Sequence, residues 1–195
     1  NQETGLIKLL KKPKSSRFLK TLTDEEKNQL NPIIWFGGNQ ITGDQIFLKS
    51  NVKTEELDSL IIRGNVFMSQ KDSLYSDRFN QIKGEKLDGF FSEGKLDNVY
   101  VEKNSTLLYY MYSDDAELIG LNKTLASSIL IKFLENEISE VSFYRTPDGN
   151  VLSENKILTN EMKLPGFIWR ESERPNKISD LFSESDKELE IVKIE

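Results

Sequence analysis

A two-strand unit that occurs three times is the sequence feature that most constrains how this chain folds. The first strand of the unit is Gln40–Leu48, which matches Gln81–Gly89 and, more weakly, a copy that begins at Ala126. The aligned residues Gly43, Gly84 and Ala126 stand 41 and 42 positions apart. Repetition at a nearly constant period predicts an architecture in which similar units stack on one another.

Each copy is followed by a second strand with alternating apolar residues. These second strands begin at Leu57, Leu96 and Ile138, which are separated by 39 and 42 residues. Strands are predicted at 33–36, 41–49, 57–63, 65–70, 82–91, 96–102, 105–112, 126–134, 138–145 and 150–153. Tight turns at 92–95 and 135–137 join neighbouring strands, and the absence of a long amphipathic helix between strands disfavours a parallel sheet. The pattern therefore predicts an all-β fold of antiparallel strands.

The alternation places the apolar residues of both strands on one face of the predicted sheet. This face contains Ile46, Leu48, Leu60, Ile62, Leu87, Phe91, Val99, Val101, Ile129, Ile131, Phe133, Val141 and Phe143. Such a stripe either packs against itself as the core of a sandwich or barrel, or lines an elongated apolar groove that accepts a lipid. The two interpretations are compatible, because a groove lining is a core with one side unfilled.

The composition removes many catalytic and metal sites. The chain of 195 residues contains no Cys and no His, which excludes disulfides, thiolate or imidazole metal sites and histidine-based catalysis. The net charge of −6 disfavours nucleic-acid binding. Close carboxylates such as Asp114 and Asp115, and the Gly37-Gly38 pair, are typical of turns. Tyr109 and its neighbours fit either a pocket lining or ordinary strand packing.

The chain divides into three predicted parts. Residues 1–30 form an N-terminal arm, in which Thr23 and Glu26 have the spacing of a capping box and predict a short helix at 23–30. Residues 1–20 are interpreted as a flexible arm or short helix. Residues 31–182 form the β-domain, and 183–195 form an acidic tail.

Several segments in order resemble one known family. They are Asn31–Trp35, Gln40–Ile46, Arg63–Phe67, Asn80–Gly84, Glu117–Asn122, Lys163–Arg170, Arg174-Pro175 and Asp180–Phe182. This set is similar to the OstA/LptA-like lipopolysaccharide-transport proteins, in the form found in Bacteroidota, and the similarity covers residues 31–182.

The resemblance implies a β-jelly roll of stacked antiparallel strands in the periplasm. It implies that the apolar face listed above shields the acyl chains of lipopolysaccharide, and that end strands pair with those of other jelly-roll transport proteins or of a second copy. It implies no catalysis, metal or cofactor. Because the ligand would be anionic, Arg63, Lys83, Lys86, Lys95 and Lys103 are candidates for pairing with its phosphates, although surface cations of this kind are usually only solvated.

Two further expectations concern the cellular role. The chain begins without the basic and apolar regions of a signal peptide, so a leader is expected to be removed or to lie outside this sequence. A module with the same fold, a filled core and no lipid, acting as an adaptor in an envelope assembly, is the alternative function.

Overall fold

The computed structural model describes residues 5–11, 19–135 and 137–175. In this part of the chain nearly all regular structure is antiparallel β-sheet, with one short α-helix and two 3₁₀ turns. The all-β prediction of stacked antiparallel strands after a short N-terminal helix is confirmed. No helix among the described residues is both long and apolar enough to cross a bilayer. The elements are β1 (Leu6–Leu10), α1 (Asp24–Gln29), β2 (Ile33–Phe36), β3 (Asn39–Thr42), β4 (Gln45–Ser50), β5 (Leu57–Lys71), β6 (Phe79–Ser92), β7 (Lys95–Tyr112), β8 (Leu118–Leu134), β9 (Glu137–Tyr144) and β10 (Asp148–Leu152).

The sheet folds over on itself at a corner that crosses its long strands. The register of β5, β6 and β7 shifts at residues 63–66, 83–86 and 102–105, and these shifts lie beside one another in the sheet. Bulges bend strands sharply. The first layer therefore contains β1, β4, the 57–63, 86–92, 95–102 and 128–134 parts of β5–β8, and β9. The second layer contains β2, β3, the remaining parts of β5–β8, and β10.

The corner gives the 39- and 42-residue steps a structural meaning. Left-handed dipeptides occur at Gly64-Asn65, Lys103-Asn104 and Arg145-Thr146, with φ between 47° and 78°. Successive dipeptides are 39 and 42 residues apart, and so are the second strands of the repeat. Two of these dipeptides also carry equivalent side-chain hydrogen bonds, because Asn65 donates to Asp44 and Asn104 donates to Glu85.

The repeated Gly43 and Gly84 lie at the corner, each against a side chain of the first layer. Neither has a positive φ, so the reason for glycine is space. A Cβ on Gly84 would lie 2.5 Å from Val101 Cγ1, and one on Gly43 would overlap Ile62 Cγ2. The third repeat has Ala126 at this position, which is 7% exposed. Small residues thus allow side chains of the first layer to fill the inside of the corner.

Two apolar clusters lie on opposite faces of the second layer. The larger lies between the layers and includes Ile41, Leu60, Met68, Val101 and Ile131. The smaller lies on the outer face of the second layer and consists of Phe67, Leu108, Tyr110, Leu121 and Leu164.

Residues 153–170, here called the covering segment, cross the outer face of the second layer. The segment lacks a strand ladder, and two side chains of the repeat hold its backbone instead. Gln40 Nε2 donates to the Ile168 carbonyl at 2.7 Å, and Gln40 Oε1 accepts from the Arg170 N–H at 2.6 Å. Gln81 forms the same two bonds with Met162 and Leu164, at 2.8 Å and 2.9 Å.

The short helix α1 closes the same face. The predicted capping box is confirmed, because the Thr23 hydroxyl accepts from the Glu26 N–H and the Glu26 carboxylate accepts from the Thr23 N–H. The Arg170 side chain, 7% exposed, donates to the Asn31 carbonyl at 2.9 Å and pairs with Glu173. The helix and the end of the covering segment are therefore fixed to each other.

Several predicted boundaries change. Residues 6–10 were expected to be a flexible arm or short helix, but they form β1, because Ile7 and Leu9 alternate in register with Leu48 and Ile46 of β4. The predicted strand 41–49 is divided at the corner, whereas 57–63 with 65–70, and 96–102 with 105–112, are continuous strands. The expected acidic tail at 183–195 lies outside the described residues.

Candidate functional site

The thirteen apolar residues predicted to share a face do so in the structure. Nine of them belong to the buried cluster between the layers: Ile46, Leu60, Ile62, Leu87, Val99, Val101, Ile129, Ile131 and Phe133. The other four pack against that cluster and are partly buried: Leu48, Phe91, Val141 and Phe143. The period-2 assignment of the inward face is therefore correct, and contact with lipid stays a prediction for all thirteen residues.

Over much of its length the interior is filled. Ile46, Leu60, Ile62 and Leu87 have no exposed surface. On the side away from the corner, Phe36 of the second layer meets Phe91 of the first at a centroid separation of 4.5 Å. This ring contact joins the two layers beside the first repeat.

The interior opens near β9, in a cavity of about 240 Å³ that is here called the cleft. The first layer contributes Ile138, Val141 and Phe143 of β9, and the second contributes Leu107, Tyr109 and Met111 of β7. Asn122 of β8 completes the wall of the second layer. At the cleft the apolar interior is therefore open to solvent.

Charged groups at the cleft are acidic or paired. Desolvation, and to a smaller extent Glu137 and Asp72, raise the pKa of the Tyr109 phenol, which therefore stays neutral at physiological pH. Lys132 donates to Glu140 at 2.9 Å and lowers the pKa of that carboxyl. A neutral phenol and a neutralised carboxylate favour an apolar or uncharged ligand portion in the cleft.

The cations considered for phosphate binding lie elsewhere, and four of the five have partners. Arg63 pairs with Asp88, Lys95 with Glu135 and Lys103 with Glu85. Lys83 donates to the Pro165 carbonyl of the covering segment. None of the five lines the cleft. The structure therefore does not bring these cations together at the opening.

A second concentration of aromatic and charged groups surrounds Arg78. Its guanidinium lies 3.8 Å from the Tyr75 ring centroid and donates to the Tyr112 hydroxyl, which in turn donates to Asp72. Desolvation raises the pKa of Tyr110 and of Tyr112 to about 12. The tyrosines stay neutral and the charged groups are paired. These contacts fasten the 72–78 loop to the outer face of the second layer.

Acidic residues in the described part of the chain are not gathered into a metal site. No group of three or more Asp and Glu residues there is placed to hold a metal ion. Asp114-Asp115 and Gly37-Gly38 lie in turns, as predicted.

Comparison with known proteins adds one structural likeness. No family model and no curated protein matches the chain. Among solved structures, one match is LptH, the LptA-homologous periplasmic component of the lipopolysaccharide transport device of Pseudomonas aeruginosa. The two are 11% identical over 77% of this chain and 97% of that one, with a TM-score of 0.47. This degree of similarity assigns neither a family nor an activity to the chain.

The sequence pattern predicted the β7 part of the second-layer wall of the cleft but not the β8 part. Residues 118–125 were not predicted as a strand, although β8 begins at Leu118. The reason is that Asn122 and Thr124 face inward while Leu121 and Leu125 face outward, so no apolar inner face marks this strand. The cross-strand pairing of Tyr109 with Asn122 places both in the cleft.

Proposed function

We propose that this chain is a non-enzymatic periplasmic carrier of lipopolysaccharide, whose acyl chains enter the layered interior through the cleft. The observation that carries this proposal is the opening of the apolar interior beside Val141 and Phe143. The lipid class comes from the sequence resemblance of residues 31–182 to the OstA/LptA-like family. Burial of each CH₂ contributes about 0.8 kcal/mol, so acyl chains bind such a surface without special polar chemistry.

In this proposal lipid enters at β9, and not along the full length of the inward-facing apolar residues. Val141 and Phe143 are partly buried, whereas Ile46 and Val99 have no exposed surface. Longer chains would reach the buried residues only if the two layers separate beside the cleft. β9 is an edge strand that pairs only with β8 among the described strands, so it is the element best placed to move.

A photo-crosslinking experiment tests this function. A benzophenone amino acid replaces Phe143, which faces the cleft, or Ser142, the adjacent residue whose side chain points to the opposite face. In irradiated cells that make lipopolysaccharide, we expect adducts from position 143 and none from position 142. Equal labelling at both positions, or labelling at 142 alone, would contradict the proposal.

Pairing through edge strands is the second part of the proposal. β1 and β2 lie at one end of the stack, and β9 and β10 lie at the other. Their unpaired N–H and C=O groups can be satisfied by a strand of another jelly-roll transport protein or of a second copy. Pairing of β9 with β1 of the next copy would extend the first layer from one molecule to the next.

Engineered cysteines test the pairing between copies, because the chain has no native Cys. Lys8 of β1 and Ser142 of β9 both point to the outer face of the first layer. A Lys8→Cys/Ser142→Cys double variant is expected to form disulfide-linked chains longer than dimers, while each single variant forms none. Only monomers or dimers from the double variant would exclude this mode of pairing.

An adaptor without lipid is the alternative that one observation favours. The interior between β3 and the first-layer parts of β5 and β6 is filled, and the Phe36–Phe91 contact joins the layers there. A chain that serves only as a link in an envelope assembly needs such a core and no opening. Absence of lipid adducts at position 143, together with intact chain assembly in the cysteine experiment, would favour this function.

A further inference from the structure

A row of polar side chains crosses the inner face of the second layer. Asn39 pairs with Gln70, Gln70 pairs with Asn80, and Tyr109 pairs with Asn122. Asn80 lies one position beyond the Gln81–Leu108 pair, beside Tyr109. These five residues, here called the polar row, occupy adjacent strands at one level of the layer.

The polar row faces an aliphatic wall. Ile131 and Ile138 of the first layer lie across a small interior space from Asn39, Gln70 and Asn80. Leu107 and Ile138 line both this space and the cleft, so the two lie next to each other, and Asn122 and Tyr109 line the cleft. The interior beside the cleft therefore has one apolar side and one side that carries hydrogen-bonding groups.

The hydrogen bonds found within the protein use only one end of three of these carboxamides. Asn39 Nδ2 donates to the Phe36 carbonyl, Asn80 Oδ1 accepts from the Tyr110 N–H, and Asn122 Oδ1 accepts from the Thr124 hydroxyl. Asn39 Oδ1 is buried without a partner, in a side chain that is 1% exposed. The Nδ2 groups of Asn80 and Asn122 donate no hydrogen bond to any described residue.

Asn39 Oδ1 is fully buried, whereas Asn80 and Asn122 are partly buried and their Nδ2 groups lie toward the space between the layers. A buried polar group that lacks a hydrogen bond costs about 1–3 kcal/mol, and an aliphatic residue at the same position avoids this cost. The first-layer wall at this level presents Ile131, Ile138, Val141 and Phe143, and Ser139 and Glu140 also line the cleft. The asymmetry fits a ligand that is apolar on one side and carries carbonyl groups on the other.

We propose that the polar row binds the ester or amide linkages of an acylated amphiphile whose chains lie against the first-layer wall. This inference rests on the function proposed above and specifies which part of the lipid the second layer contacts. The Nδ2 groups of Asn122 and Asn80 donate to linkage carbonyls, with Asn122 at the entrance and Asn80 further inside. A hydrocarbon chain without a carbonyl gains only the apolar contacts.

Two neutral probes with twelve-carbon chains test the proposal. N-dodecanoyl-glucosamine has an amide linkage, whereas dodecyl glucoside has a sugar and the same chain length but no carbonyl. Binding of each to the full chain is measured by calorimetry below the critical micelle concentration. We expect about tenfold tighter binding of the amide probe, the effect of one added hydrogen bond.

Variants at Asn122 assign that preference to the polar row. Asn122→Leu is expected to bind both probes with equal affinity while keeping the affinity for dodecyl glucoside. Asn122→Asp keeps a polar side chain of the same shape but has no amide donor, and it is expected to lose the preference as well. Asn150→Leu, at an exposed position of β10 on the face opposite to Asn122, is the matched control and keeps the preference.

The outcomes separate this inference from the function on which it rests. Equal affinity of the native chain for both probes, or a full preference in both Asn122 variants, would overturn the role of the polar row while leaving lipid binding intact. Failure of the native chain to bind either probe would overturn the lipid-carrier function itself.

Discussion

Gln40 and Gln81 hold the same segment of chain with the same pair of hydrogen bonds. Each side-chain amide donates to one backbone carbonyl of the covering segment and accepts the N–H two residues later. Both are equivalent positions of the repeat, 41 residues apart. The repeat therefore specifies the hydrogen bonds that hold the covering segment on the outer face, as well as the apolar residues of the inner face.

Replacement of Gln81 tests how strongly the covering segment depends on these bonds. Gln81→Leu leaves the Leu164 N–H and the Met162 carbonyl unpaired beneath the segment, so we expect a loss of about 2–4 kcal/mol in the free energy of unfolding. Urea denaturation measures the change. Gln45→Leu, at an exposed position of β4, is the control and is expected to change stability by less than about 0.5 kcal/mol. A similar small effect at Gln81 would show that the segment is held by apolar contacts alone.

The corner predicts a specific rescue. Gly84→Ala places a Cβ against Val101 Cγ1, and we expect it to destabilise the chain by about 1–3 kcal/mol. Val101→Ala removes the opposing methyl groups, so the double variant is expected to lose less stability than the two single changes added together. Gly38→Ala, which meets no atom within 4 Å, is the matched control. Strict additivity in thermal unfolding would contradict the proposed close approach.

Two neighbouring tyrosines are expected to respond oppositely to loss of the hydroxyl. The Tyr110 hydroxyl is buried with no hydrogen-bond partner among the described residues, so Tyr110→Phe should be neutral or stabilise the chain by about 1 kcal/mol. The Tyr112 hydroxyl binds both Arg78 and Asp72, so Tyr112→Phe should cost about 1–2 kcal/mol. Denaturant unfolding at neutral pH compares the pair. A larger loss for Tyr110→Phe would reverse the assignment.

The Arg170–Glu173 pair predicts a stability change in acid. The hydrogen bonds from Arg170, and a smaller contribution from Gln29, lower the pKa of the Glu173 carboxyl below its ordinary value of 4.5. A lowered pKa in the folded state stabilises the fold above the unfolded-state pKa, and this contribution is lost as the pH falls through the lower folded value. Glu173→Gln should therefore lower stability at pH 7 and flatten its decline below about pH 4.5. Glu93→Gln, in the exposed β6–β7 turn, should leave both the stability at pH 7 and the decline unchanged.

Sequence patterns predicted the inward stripe well, because strand alternation is a local property. Val99 and Val101 face inward whichever partner β7 pairs with, and all thirteen assigned residues lie on the interior side. The capping box at Thr23 and the hairpin turn at 92–95 were predicted for the same reason. In each case the residues that decide the structure are within a few positions of one another.

Features that depend on pairing between residues far apart in the chain could not be predicted from local sequence patterns. Nothing near residues 6–10 indicates a strand, because β1 exists through its ladder with β4, 35 or more residues later. Arg174 lies over the Trp35 ring and Trp169 packs edge-on against Trp35, contacts between residues more than 130 positions apart. The polar row is likewise invisible in sequence, since its members become neighbours only through the registers of five strands.

The width and the length of the interior are controlled by different features of the repeat. The left-handed dipeptides and small residues at the bend determine how closely the layers approach, and hence the cross-section. Each two-strand repeat lengthens the stack by about 9.6 Å, twice the spacing between paired strands. Addition or loss of one repeat would therefore change how long a hydrophobic chain the interior can hold without changing how wide that chain can be.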